Sequence, residues 1–273
     1  MIPAPFEYVR AGSVEEAVAA LTADPDAKLL AGGHSLLPAM RLRLVRVSTL
    51  VDIGRLTDLS YVREDGDSIA IGPLTRHHDV ANSEALQSGC PIVAYAAAQI
   101  GDPAVRHVGT IGGSVAHGDP AGDLPAVLLA LDASFVITGA GGATRTVEAT
   151  SFFTGLFSTA LEPNELLTEI RVPKTSGGWS FLKFNRRAQD WALVGASAVA
   201  SNGGVHVSLT NMGLTPLRAT GVEAAVAGGA DPVAAAAHAD EGTAPGDDAF
   251  ASADYRRALS KVLVERALRE AMG

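Results

Sequence analysis

The sequence predicts an α+β protein of two domains, and three observations carry that reading. Residues 1–54 alternate short apolar strands with helix signals in the order β-α-β-α-β. Pro173-Lys174-Thr175-Ser176-Gly177-Gly178 follows a strongly apolar strand and reads as a linker. Beyond it, three strand patterns precede three helical ones, the order of a sheet backed by helices. The expected boundaries are residues 1–173 for the first domain, with subdomains near 1–54 and 55–173, and residues 179–273 for the second.

The elements follow in order. Residues 6–9 form a short strand, and Ser13-Val14-Glu15-Glu16 has the capping-box pattern that starts a helix bearing Ala17, Val18 and Leu21. Residues 28–30 are a buried strand, and Gly32-Gly33 turns the chain into a helix over 36–42 before a strand at 49–53. Residues 61–63 and 68–71 pair as a hairpin around an acidic turn. Helices are expected at 78–86, 92–100 and 126–131, then a hairpin of 134–138 with 144–147, and a strand at 166–172. The second domain's strands are 179–185, 192–200 and 205–211, the last two joined through Gly203-Gly204. Its helices are 221–226, 232–238 and 255–271, the last with Leu259, Val262, Leu263 and Leu268 at helical spacing.

Composition excludes several function classes. With 21 basic and 30 acidic residues the formal charge is −9, and no basic run marks a nucleic-acid surface. The first residues show neither a basic nor an apolar signal-peptide region. Apolar runs such as 192–200 fall short of the roughly 20 residues a membrane span needs, so a cytoplasmic protein is expected. Cys90 is the only cysteine, which rules out intrachain disulfides, a thiolate zinc site and an iron–sulfur cluster held by this chain alone. Redox chemistry here requires a bound organic cofactor or a partner.

Two glycine motifs carry the functional signal. Residues 101–125 hold six glycines between two apolar segments. Within them Gly112 and Gly113, flanked by Thr110 and Ser114, suggest a positive-φ backbone nest for an anion such as diphosphate. Taken alone, a structural turn explains them equally well. Residues 29–38 present a second pair, Gly32-Gly33, flanked by His34 and Ser35. Two such loops suit a long ligand with a diphosphate between two arms.

With both motifs in view, the chain resembles the FAD-binding medium subunit of molybdenum hydroxylases, most of all the carbon monoxide dehydrogenase type, with xanthine dehydrogenase flavin domains more distant. The match rests on AGGHSLLP at 31–38, GTIGGS at 109–114, GDPAGDLPA at 118–126 and the strand that contains Lys183. The resemblance implies a two-subdomain FAD-binding domain of the vanillyl-alcohol-oxidase (PCMH) type, followed by a three-stranded antiparallel sheet with helices. It assigns cofactor contacts to Leu30, Ala31, Gly32, Gly33, His34, Ser35 and Leu36 in one loop. Thr110, Ile111, Gly112, Gly113 and Ser114 supply the other. Asp123 matches an acid that hydrogen-bonds FAD, and Leu167 falls in a strand passing near the cofactor. Lys183 matches a lysine near the isoalloxazine, where a cation would stabilise charge on the reduced ring. Trp191 stands where relatives carry an aromatic, with Tyr expected; core packing is its other reading.

The implied function is electron transfer within a heterotrimer, assembled as a dimer of heterotrimers. A large subunit with a molybdenum–pterin cofactor would oxidise substrate and a small subunit with [2Fe–2S] clusters would relay electrons. FAD here would pass them to a quinone-type acceptor, with the complex cytoplasmic or peripheral at the inner membrane face. No catalytic acid–base residue and no metal site is expected in this chain. The alternatives are a free-standing FAD oxidase or dehydrogenase, a non-enzymatic nucleotide-binding module, or the medium subunit of a hydroxylase for a purine, an N-heterocycle or an aldehyde.

Remaining residues have plainer readings. His34 is expected to position the loop or touch the diphosphate. His117, Asp119 and Asp123 lack a recognised metal spacing. His77-His78 reads as a solvated helix start and Cys90 as a buried inert thiol. Gly139–Thr144 fails the dinucleotide fingerprint because its last position is Thr144.

Overall fold

The computed structural model describes residues 2–201 and 204–273, so Gly203 of the expected turn lies outside the described residues. The first unit is a three-stranded parallel sheet in which Thr49–Asp52 lies between Glu7–Arg10 and Lys28–Leu30. Helix Val14–Ala23 packs on it through Ala17, Val18 and Leu21. Its capping box forms with a variation: Ser13 Oγ accepts from Glu16 N–H at 3.2 Å, while Glu16 accepts from Gly12 N–H at 2.7 Å.

The second unit is a five-stranded antiparallel sheet. Its central strand, Leu166–Pro173, joins the hairpin Val62–Asp65/Ser68–Ile71 on one side to Ser134–Thr138/Thr144–Glu148 on the other. Leu166, Leu167, Ile170 and Val172 of this strand are all buried, which fits its central place. Helices Pro91–Ala98 and Asp123–Ala130 bury against this sheet with Ile69, Ile71, Phe135 and Phe152. Asp123–Ala130 is apolar on every side because it is covered twice, by this sheet and by the second domain, whose buried Ser208 donates to Ala126 O at 2.5 Å.

One buried acid stabilises the central strand. Glu169 accepts from Tyr61 Oη at 2.6 Å, Arg63 at 2.9 Å and Arg171 at 2.6 Å. Burial alone would push its carboxyl up. The hydrogen bonds from Tyr61 and Arg171, with the two guanidinium charges, outweigh that and hold it below its ordinary value of 4.5. Both arginines reach solvent and are screened, so Glu169→Gln should cost about 1–2 kcal/mol at pH 7. A carboxyl with a depressed folded-state pKa stabilises above its unfolded pKa and loses that contribution as pH falls through the folded value. The difference between variant and native urea midpoints should therefore shrink below pH 4.5 and be constant above it.

The second domain is a four-stranded antiparallel sheet in the order Trp179–Phe184, Val194–Ser201, Gly204–Thr210 and Leu217–Arg218. The two-residue fourth strand extends the three that the pattern predicts. Helix Ala253–Met272, capped by Ser252, covers the sheet with Leu263, Val264, Ala267 and Leu268, while Val262 is exposed. The linker is packed. Thr175 N–H donates to Gly89 O at 2.7 Å, and a Cβ on Gly177 or Gly178 would lie within 2.3 Å of the Ala200 or Ala271 carbonyl oxygen. Arg218, from the second domain, reaches Asp132 of the first at 2.5 Å, and His206 meets the same carboxylate at 3.0 Å.

Two expected elements differ. The helix predicted over 78–86 is two helices, His77–Ala81 and Glu84–Gly89. Asn82 donates back to His78 O at 2.7 Å, and Ser83 Oγ caps the next helix at Leu86 N–H; both side chains compete with helix continuation. The region 101–125 is also less loop-like than expected, with helices Pro103–Arg106 and Ile111–His117 and the start of Asp123–Ala130.

Candidate functional site

A cleft of about 760 Å³ runs between the parallel-sheet unit, the central strand and the second domain. The AGGHS loop forms one wall. Gly33 has φ +70°, and a Cβ there would press on the Leu30 and Leu37 side chains at 2.9 Å. Gly32 serves close approach: a Cβ would lie 2.3 Å from Val108 O and 2.8 Å from Gly109 Cα. The two glycine motifs thus meet backbone to backbone. His34 folds its ring over the loop, with Nδ1 2.9 Å from Gly32 O.

The TIGGS motif corrects one expectation. Gly112 and Gly113 are not a positive-φ nest; they are the first turn of helix Ile111–His117, capped by Thr110. Their N–H groups are already committed, Gly112 to Pro73 O at 2.9 Å and Gly113 to Thr110 Oγ1 at 3.2 Å. Gly112 is needed for packing, since its Cβ would lie 2.3 Å from Pro73 Cβ. Gly113 instead is exposed on the cleft, where an added Cβ would meet Thr110 Oγ1 at 2.8 Å. Among the described residues, Ser35 and Ser114 make no side-chain hydrogen bond, so both hydroxyls are free for a ligand.

Deeper in the cleft, Asp123 Oδ2 accepts from Lys183 Nζ at 2.7 Å, and Nζ also donates to Gln99 O at 3.2 Å. The side chains are only 6% and 4% exposed, so this is a buried ion pair. Burial pushes the Asp123 carboxyl up, and the Lys183 ammonium pulls it back only in part, so the group stays above its ordinary value. Lys183 is therefore one half of a buried ion pair rather than an unpaired cation. The other carboxylate oxygen, Oδ1, is buried without a hydrogen-bond partner.

The structure brings most of the predicted contacts to this one cleft: Ala31, Gly32, Gly33, His34, Ser35, Leu36, Thr110, Gly112, Gly113, Ser114, Asp123, Leu167, Lys183 and Trp191 line it. Leu30 and Ile111 stand behind the lining, Leu30 with Met40 and Leu50 and Ile111 in the main core. Trp191 is 61% exposed at the cleft, so core packing does not account for it. Several lining residues escaped the sequence reading. His77 is buried where a solvated residue was expected. Phe157, at φ +52°, places its ring 5.0 Å from that of His117, and nothing in its sequence context signals this. Cys90 is fully buried and its thiol is pushed up to about 12 by burial. Among the described residues, no cluster of three His, Cys, Asp or Glu side chains could hold a metal ion, and no helix is long and apolar enough to cross a membrane. A second cavity of about 770 Å³ lies by the linker, away from both glycine motifs.

The donor set fits FAD. The cleft offers two free hydroxyls and an exposed glycine face, and an unpartnered carboxylate oxygen is buried at its lining. Fold and cleft together suit a long dinucleotide cofactor lying between two domains. Comparison with known proteins gives the family. Residues 4–175 match the FAD binding domain in molybdopterin dehydrogenase, and residues 179–271 match the CO dehydrogenase flavoprotein C-terminal domain. The carbon monoxide dehydrogenase medium chain of Hydrogenophaga pseudoflava is 43% identical, covering 99% of this chain and 98% of its own length. The glyceraldehyde dehydrogenase medium chain of Sulfolobus acidocaldarius is 38% identical over 99% of each. A solved structure of carbon monoxide dehydrogenase from Hydrogenophaga pseudoflava superposes with a TM-score of 0.95 at 44% identity, covering 100% of this chain and 99% of that one. The chain belongs to the family of FAD-binding medium subunits of molybdenum hydroxylases.

Proposed function

We propose that this chain is the FAD-carrying electron-transfer subunit of a molybdenum hydroxylase of the carbon monoxide dehydrogenase type. The observation that carries the reading is the convergence of both glycine motifs and the Asp123–Lys183 pair on one cleft, in a chain similar over its whole length to such medium subunits. Residues 1–173 form the FAD-binding domain and residues 179–273 close the cleft from the other side. A large molybdenum subunit and a small [2Fe–2S] subunit complete a heterotrimer, paired as a dimer, in the cytoplasm or at the inner membrane face.

When bound, FAD supplies one- and two-electron redox chemistry. The chain itself binds and orients. The AGGHS loop would hold the diphosphate and ribityl regions through its backbone, His34 and the Ser35 hydroxyl, and the TIGGS helix start would add the open face of Gly113 and the Ser114 hydroxyl. The buried, unpartnered Oδ1 of Asp123 would accept a hydrogen bond from a cofactor entering the cleft, while Lys183 Nζ holds the carboxyl in place through Oδ2. Leu167 and Trp191 add apolar walls. No residue of this chain transfers a proton to substrate, and the substrate is chosen in the molybdenum subunit.

The acceptor is a quinone-type carrier. A complex reduced anaerobically by its own substrate should be reoxidised by a soluble quinone analogue, with NAD⁺ ineffective when followed by flavin absorbance. Faster reoxidation by NAD⁺ would replace the quinone with a nicotinamide acceptor. Turnover by the lone chain would favour the free-standing oxidase or dehydrogenase.

A further inference from the structure

His77 begins helix His77–Ala81, with its backbone N–H on Gly109 O at 3.0 Å. Its ring lies against Gly109, where an added Cβ would be 3.0 Å from Cδ2 and 3.3 Å from Nε2. That is the point at which Gly32 touches Val108 and Gly109, so the imidazole backs the junction of the two loops. The residue is 5% exposed, and it lines the cleft.

Its two nitrogens differ. Nδ1 is sealed from solvent and has no hydrogen-bond partner, whereas Nε2 is not among the sealed, unpartnered atoms and makes no hydrogen bond to the described residues. Nε2 is therefore the ring nitrogen that is not sealed, in a residue that lines the cleft. A proton on Nδ1 would seal an N–H away from any acceptor. A proton on Nε2 seals only a lone pair and leaves the N–H facing the cleft, which is the less costly tautomer. Burial, helped by the nearby His34 ring, pushes the pKa down to about 4, so the imidazole is neutral at physiological pH. Its neighbour His78 is turned elsewhere, stacked on His107 with centroids 4.0 Å apart.

We propose that His77 is a cofactor-positioning residue that donates a hydrogen bond from Nε2–H to an oxygen of the FAD, where the glycine loops meet. The inference rests on the FAD assignment above. The acceptor is an oxygen of the diphosphate or of the ribityl chain; both present the same chemistry to a neutral N–H.

The test uses the whole complex, freed of flavin and titrated with FAD while flavin fluorescence is followed. His77→Phe and His77→Met, which lack a donor, should each raise the FAD dissociation constant about tenfold, in line with one lost hydrogen bond in a buried site. His77→Gln keeps an N–H near the same place and should stay within about threefold of the native value. His77→Met carries the test where the phenylalanine ring does not fit. ADP as competitor separates the acceptors: equal weakening for ADP and FAD assigns the diphosphate, and weakening for FAD alone assigns the ribityl chain. A folded donorless variant that binds FAD like the native complex overturns the proposal, as does a glutamine variant that loses as much as the methionine one. A native complex that takes up no FAD would instead refute the cofactor assignment itself.

Discussion

Gly113→Val should leave a folded, assembled complex that contains almost no FAD. Both glycines of the TIGGS pair line the cleft, but only Gly113 is exposed there, and an added Cβ meets only Thr110 Oγ1 at 2.8 Å. The branched side chain would stand where the cofactor must approach. Its cost to the fold is a weakened Thr110 cap, about 1 kcal/mol. Gly112→Val is the contrasting control. Its Cβ would lie 2.3 Å from Pro73 Cβ and 2.7 Å from Pro73 O, inside a packed region, so this variant should lose stability and FAD together. Flavin-to-protein stoichiometry and thermal midpoints, measured on both, separate the two roles. Full flavin content in Gly113→Val would remove the TIGGS helix from the site.

Lys183→Met should be the most destabilising single change at the cleft. It leaves the Asp123 carboxylate buried without its cation, a loss of about 3–5 kcal/mol for a broken buried pair. Asp123→Asn should cost less, because the amide still accepts from Lys183 although an unpaired ammonium remains. The double variant Asp123→Asn/Lys183→Met should be more stable than the sum of the two single losses predicts, since no uncompensated charge is left. Lowering the pH should rescue Lys183→Met in particular. Without the ammonium, burial raises the folded-state carboxyl pKa above its unfolded value, so the native form binds the extra proton and gains stability as pH falls. Additive losses in chemical denaturation would show that the two groups do not act as a pair.

Much of this architecture is legible in the sequence because local signals and tertiary placement agree. The Ser13–Glu16 capping box, the Gly139–Gly142 hairpin turn and the apolar strand at 166–173 each encode their element within a few residues. Both glycine motifs mark the cleft correctly, yet their physical roles differ from the expectation. Glycine at 112 and 32 is required by backbone contact with Pro73 and Val108, partners 39 and 76 residues away in the chain, and no local pattern announces such contacts. Lys183 reads as an exposed strand lysine or a free cation until the fold brings Asp123 to 2.7 Å. His77 shows the same limit in reverse: a His-His pair at a helix start looks solvated, but the fold buries this ring against Gly109, with Nδ1 sealed and unpartnered and the Nε2 edge beside that glycine. Phe157 has no sequence signal at all, because its position depends on a short hairpin, Phe153–Gly155 with Ser158–Thr159, that folds against the end of the TIGGS helix.

The central claim, that this chain carries FAD in the cleft within a molybdenum hydroxylase, is tested most directly by a visible absorption spectrum of the protein purified from its native host, with gel analysis of copurifying chains. Flavin bands superposed on iron–sulfur absorbance are expected, with two further chains, one large and one small. A colourless single chain that takes up no added FAD would contradict it.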